Sequence, residues 1–122
     1  MLAKILVVED DPIGRDLICE ILRAEGHHLL EATNGSEALE LFYTQRFDLV
    51  ITDFVMPKLN GLKLVKQLHL FQPNLPIIFI SAYLSIISDK TMLKDVAAVL
   101  PKPFEINFLK STVHRLLFNA AA

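Results

Sequence analysis

The sequence predicts an α/β domain: a doubly wound, five-stranded parallel sheet with five helices. Three observations carry that reading. Five short apolar runs, at residues 5–8, 29–33, 49–51, 77–80 and 97–100, alternate with segments that carry helical periodicity or helix-start signals. The run around residue 50 does not alternate apolar with polar, as expected of a strand buried on both faces of a parallel sheet. A length of 122 residues, 52% hydrophobic and 21% charged, suits one compact domain over 1–122 and argues against disorder. Right-handed crossovers leave few ways to order such strands, and 2-1-3-4-5 is the common doubly wound order adopted here as the expectation.

Residues 5–8 open the sheet. Glu9-Asp10-Asp11 follows, and Pro12 suits the first turn of a helix on which Ile13, Leu17, Ile18, Ile21 and Leu22 recur at helical spacing. Gly26 ends that helix. The second strand, 29–33, runs into the Asn34-Gly35 turn, where Asn34 or Ser36 caps a helix with Ala38, Leu39, Leu41 and Phe42 on its inner side. The third strand ends near Asp53. After Met56-Pro57 and Gly61, Leu62, Val65 and Leu68 mark a third helix. Pro73 and Pro76 bracket a loop before the fourth strand, which Ser81-Ala82 closes. Residues 84–96 form the poorest amphipathic repeat in the chain and read as a short helix. The fifth strand leads to Pro101-Lys102-Pro103, and Ile106, Leu109, Val113 and Leu116 make the last helix. Phe104, Phe108 and Phe118 read as core, or alternatively as an exposed apolar strip for a partner.

Composition excludes several classes. A formal net charge of -2 gives no global pull toward nucleic acid or an anionic membrane. No apolar run approaches the roughly 20 residues of a membrane span, and no secretion signal is recognisable. The lone Cys19 has no internal disulfide partner and reads as a packed, inert thiol, consistent with a cytoplasmic location. His27, His28, His69 and His114 are scattered and none pairs at metal-ligand spacing.

The chemistry collects at the carboxyl ends of the strands, where ligands gather in open parallel sheets. Glu9, Asp10 and Asp11 follow strand one, Asp53 ends strand three, Ser81 ends strand four and Lys102 follows strand five. Each has a bland reading: a solvated acidic turn before a helix, a loop-capping aspartate, a turn serine, a surface lysine. All four groups occupy the same kind of position, and that makes the joint reading the stronger one. Clustered carboxylates repel unless a cation sits among them. An all-oxygen set without Cys or His suits Mg²⁺, which takes one or two carboxylates plus waters and phosphate oxygens. Asp53 is then a possible nucleophile, Lys102 a neutralising charge and Ser81 a hydrogen-bond donor to a phosphoryl oxygen.

Taken together, Ile5-Leu6-Val7-Val8-Glu9-Asp10-Asp11, Asp48-Leu49-Val50-Ile51-Thr52-Asp53 with Met56-Pro57 and Gly61, Ser81-Ala82, and Leu100-Pro101-Lys102-Pro103-Phe104 resemble the receiver domain of two-component response regulators. The resemblance spans essentially the whole chain and implies a flavodoxin-like fold. It further implies that Asp53 accepts a phosphoryl group from a phosphohistidine of a histidine kinase or histidine phosphotransfer protein. Glu9, Asp10, Asp53 and the backbone carbonyl of Val55 would hold Mg²⁺, with Asp11 the spare acid. Ser81 and Lys102 would contact the phosphoryl group, and the Lys102-Pro103 bond would be cis. The resemblance also implies an output domain, a protein target or a homodimer partner on the face of the fourth helix, fifth strand and last helix. It implies slow self-catalysed phosphorylation and dephosphorylation in place of a conventional enzyme activity, and no direct nucleic-acid or membrane binding. In the family, the positions of Val55 and Tyr83 tune hydrolysis of the acyl phosphate.

One departure concerns the switch. The family usually carries an aromatic residue three before the lysine, where this chain has Val99. Valine has few rotamers and no ring to bury, so coupling through Ser81 to this face is expected to be weak. Two alternatives follow. One is a pseudo-receiver that serves as a protein-binding scaffold. The other is an Asp-nucleophile phosphohydrolase of the haloacid dehalogenase type, which Val55 argues against, because such enzymes carry a second acid at that position.

Overall fold

The computed structural model describes residues 3–53, 61–82 and 94–118. Its strands are β1 (Lys4–Val8), β2 (His28–Ala32), β3 (Leu49–Asp53), β4 (Ile77–Ser81) and β5 (Ala98–Pro101). Its helices are α1 (Pro12–Ala24), α2 (Gly35–Thr44), α3 (Gly61–Phe71) and α4 (Ile106–Phe118). All strand pairs are parallel, and the sheet order is β2-β1-β3-β4-β5, as expected. Four helices lie among the described residues against the five expected; most of the segment read as a short helix over 84–96 lies outside them.

Every residue of β3 and β4 is buried, as their unbroken apolar runs require. Alternating side chains separate two cores. On one face Leu6, Val8, Val50, Ile77 and Phe79 pack with Ala38 and Phe42 of α2 and Leu64, Val65 and Leu68 of α3. On the other, Ile5, Val7, Leu49, Ile51, Ile78, Ile80 and Leu100 pack with Ile18, Cys19 and Leu22 of α1 and Leu109 and Val113 of α4. Cys19 is fully buried, and burial pushes its thiol pKa up to about 11.

Element ends follow local chemistry. Asp11 caps α1, its carboxylate accepting from the N–H groups of Ile13 (3.4 Å) and Gly14 (3.2 Å), with Pro12 in the first turn. Gly26, at φ 93°, stops α1 in the left-handed conformation that lets its N–H reach the Arg23 carbonyl. Asn34 caps α2, Glu37 N–H donating to its Oδ1 at 2.9 Å, while the Glu37 carboxylate accepts from Thr33 N–H and hydroxyl. Thr33 is thereby drawn into the cap, so β2 begins at His28 opposite Lys4 and ends at Ala32, one residue earlier than the sequence suggests.

Several apolar residues assigned to helix cores lie outside them. On α1 the buried stripe is Ile18, Cys19 and Leu22, which leaves Ile13 79% and Leu17 43% exposed. On α4 the stripe is Leu109, Thr112 and Val113. Ile106, Phe108 and Phe118 are exposed, whereas Phe104 is half-buried against the core. Phe108 sits one residue before Leu109, which turns it about 100° off the packed face.

His27 ties the lower edge of the sheet to α1. Its Nδ1 accepts from Ala3 N–H at 3.3 Å, and its backbone N–H donates to the Leu22 carbonyl. Burial holds the imidazole pKa below its ordinary value; Glu25 opposes that shift, and the chain N-terminus and His114 add to it. A base with a depressed folded-state pKa contributes stability above its unfolded pKa, near 6.5, and loses it as pH falls. The stability difference between wild type and His27→Leu should therefore be largest at pH 7–8 and shrink below about pH 6.5. Denaturant titrations at a series of pH values check this, and a pH-independent difference would refute it.

Candidate functional site

Side-chain alternation decides which residues meet at the carboxyl edge. Ile5, Val7 and then Glu9 share one parity, as do Leu49, Ile51 and Asp53, and Leu100 and Lys102. These series continue the α1/α4 face of the sheet to its rim. Ser81 has the parity of Ile77 and Phe79 and therefore the opposite face. It is buried at the end of β4, paired with Pro101 in the ladder, and its carbonyl accepts from Lys102 N–H at 2.9 Å.

Lys102 starts beyond β5, and β4 lies between it and β3. Its long stem spans that strand, so that Nζ donates to Asp53 Oδ2 and Glu9 Oε2, each at 2.8 Å. The bland reading of Lys102 as a surface lysine therefore does not hold: 30% of the side chain remains exposed, and the ammonium is shared between two buried carboxylates. The reason is electrostatic, since adjacent buried carboxylates draw in the nearest cation. Burial opposes the charged form of Lys102, but its bonds to Asp53 and Glu9 outweigh this and raise its pKa. At Glu9 burial prevails and raises the carboxyl pKa, although Lys102 and the Asp11 N–H pull it down.

Glu9, Asp10 and Asp53 each present a carboxylate oxygen within 4.8 Å of the others, an arrangement that could hold a metal ion. Glu9 is almost fully buried, whereas Asp10 is exposed at the mouth. Asp11, the spare acid, is committed to the α1 cap. The Lys102–Pro103 peptide is cis. Val99 is half-buried against the α2/α3 core, and Val55 and Tyr83 lie outside the described residues. Beside the carboxylates a groove of about 420 Å³ is lined by Ile13, Leu17, Ile18, Pro103 and Phe104 together with Glu9 and Lys102.

Sequence reasoning missed Arg15. Its guanidinium donates through Nη1 to the Glu9 carbonyl at 2.8 Å and through Nε to Glu31 Oε1 at 3.1 Å. The available signal was an arginine one turn beyond the acidic cluster, with an acid in the neighbouring strand to anchor it.

The strand order, the paired lysine and the acidic triad describe a parallel α/β domain with a charged cluster at its carboxyl edge, and the family comparison identifies its class. Residues 5–114 match the response regulator receiver domain, and the chain belongs to that family of two-component signalling proteins. It is 32% identical to the response regulator receiver protein CpdR of Brucella abortus, over 96% of this chain and 98% of that protein. It is 31% identical to sporulation initiation phosphotransferase F of Bacillus subtilis, over 93% of each. Among solved structures it resembles the response regulator TrrA of Thermotoga maritima, crystallised with Mg²⁺-BeF. That match has a TM-score of 0.87 at 36% identity and covers 94% of this chain and 99% of the other.

Lys102 balances two buried carboxylates, so its removal leaves uncompensated charge. Lys102→Met should lower unfolding free energy at neutral pH, without added divalent cation, by roughly 1–3 kcal/mol. That is less than for a fully buried pair, because the lysine still touches water. Urea titration measures the change, and unaltered stability would show the bridge to be energetically neutral.

Proposed function

We propose that this domain is a phosphoacceptor switch in which Asp53 takes a phosphoryl group from a phosphohistidine of a histidine kinase or phosphotransfer protein. The observation that carries this reading is the bridge from Lys102 to Asp53 and Glu9, with Asp10 completing an acidic cluster beside it. An Asp53 carboxylate oxygen attacks phosphorus, the P–N bond to the donor imidazole breaks, and the imidazole leaves with the bonding pair. Lys102 lies where charge on the phosphoryl oxygens would gather. Ser81, at the neighbouring strand end, is assigned a hydrogen bond to one of those oxygens.

The donor set fits a hard cation: oxygen atoms only, partly buried and open to water at Asp10. Glu9, Asp10 and Asp53, with the carbonyl of Val55 by resemblance, are the proposed Mg²⁺ ligands. When bound, Mg²⁺ would offset charge on the transferring group. The Mg²⁺-BeF complex of TrrA, similar over nearly the whole chain, supports this assignment.

Val99 favours a restrained output. With a half-buried valine at the switch position, phosphorylation is proposed to shift the face containing β5 and α4 only modestly. That face is the proposed docking surface for an output domain, protein target or second copy.

Incubation with acetyl phosphate and Mg²⁺ should give a phosphoryl adduct by intact mass that is absent in Asp53→Asn. An adduct that persists in that variant would refute the assignment of Asp53. Asp53 is buried, so a macromolecular donor must also cover the rim, and the apolar groove shares Glu9 and Lys102 with the site. Ile13→Ala and Leu17→Ala should therefore slow phosphotransfer from a phosphohistidine protein by about tenfold while leaving acetyl phosphate labelling unchanged. Equal loss with both donors would show that the groove acts on the chemistry itself.

A further inference from the structure

The direction of an exposed ligand depends on the backbone beneath it. Asp10 is solvent-exposed, and the peptide that carries it is the one whose carbonyl belongs to Glu9. Glu9 is held at each of its polar groups. Its N–H donates to the Ala32 carbonyl at 3.0 Å, Oε1 accepts from Asp11 N–H at 3.2 Å, and Oε2 accepts from Lys102. Its carbonyl accepts from Arg15 Nη1 at 2.8 Å.

Arg15 is itself fixed. Its side chain is only 15% exposed, and Nε is paired with Glu31 Oε1. The other Glu31 oxygen is paired with Arg23 at 3.4 Å, and Glu31 stands opposite Val7 in the β1–β2 ladder. A planar fork that spans a carboxylate and a carbonyl fixes both partners, which a freely rotating ammonium does not do.

We propose that Arg15 is a positioning residue for the cation site: by holding the Glu9 carbonyl it fixes the Glu9–Asp10 peptide and so strengthens Mg²⁺ binding. The proposal rests on the assignment of Glu9, Asp10 and Asp53 as Mg²⁺ ligands. It makes a prediction of opposite sign to simple electrostatics. Removing the cation bonded to the Glu9 carbonyl, next to the acidic cluster, should by Coulomb attraction alone tighten binding of Mg²⁺. Loss of positioning should weaken it, as loss of the groups that orient metal ligands generally does.

The test is Mg²⁺ titration of the intact chain by backbone amide chemical shifts, for wild type, Asp10→Ala, Arg15→Ala and Arg15→Met. The expected result is binding in wild type, loss in Asp10→Ala, and roughly tenfold weaker affinity in both Arg15 variants. The Asp10 amide should also shift in those variants before any Mg²⁺ is added. Arg15→Met keeps the packed aliphatic stem and decides the matter if Arg15→Ala fails to fold. Unchanged or tighter binding in a folded Arg15 variant, with normal wild-type binding, overturns the role of Arg15 alone. Absence of wild-type binding, or undiminished binding in Asp10→Ala, overturns the ligand assignment and the proposal with it.

Discussion

Lys102 carries its ammonium past the end of β4 to Asp53 and Glu9, 2.8 Å from each, and the layout of the carboxyl edge depends on that contact. Two buried carboxylates cannot remain adjacent and ionised without a cation, because each raises the cost of charging the other. The long lysine stem reaches both from the far side of β4. The bridge therefore links β1, β3 and β5 through their ends, in addition to the ladder hydrogen bonds that run through β4. It also sets the polarity of the site: positive on the β5 side, negative on the β1 side, with exposed Asp10 at the opening.

The rest of the fold keeps that edge in register. β3 and β4 are buried along their whole length between two helical layers, so they cannot slip without exposing apolar side chains. At the opposite edge, Gln72 at the end of α3 exchanges hydrogen bonds with both the N–H and the carbonyl of Phe47, just before β3 begins. Asp48 accepts from Lys4 N–H at 2.8 Å and joins the starts of β1 and β3. Strands anchored at their starts deliver their ends to fixed places, and a site assembled from side chains distant in sequence requires this.

Much of this was legible in the sequence because it follows from period and punctuation. Unbroken apolar runs located β3 and β4, Pro12 and Gly26 bounded α1, and the acids, serine and lysine after the strands identified the edge. Helix faces were less legible. Ile13, Leu17 and Phe108 match helical spacing to residues near the core, yet each lies to one side of the packed stripe, and hydrophobicity alone does not say which of two adjacent stripes faces the sheet. Long polar side chains were the least legible. Lys102 was placed at the edge, but its path across the strand ends to Asp53 and Glu9 was not foreseen, and Arg15 was not singled out at all, because the reach of a flexible side chain leaves no periodic trace. The resemblance to receiver domains supplied assignments that spacing could not, among them the cis peptide before Pro103.

Cys19 has a practical consequence for anyone working with this molecule. The chain's single thiol is enclosed between α1 and the sheet and held protonated, so alkylating reagents in neutral buffer find little thiolate to attack. A cysteine introduced at an exposed position such as Ser111 or Glu20 would then be the sole reactive handle. Fluorophores, spin labels or surface attachment could be placed there without first removing the native residue.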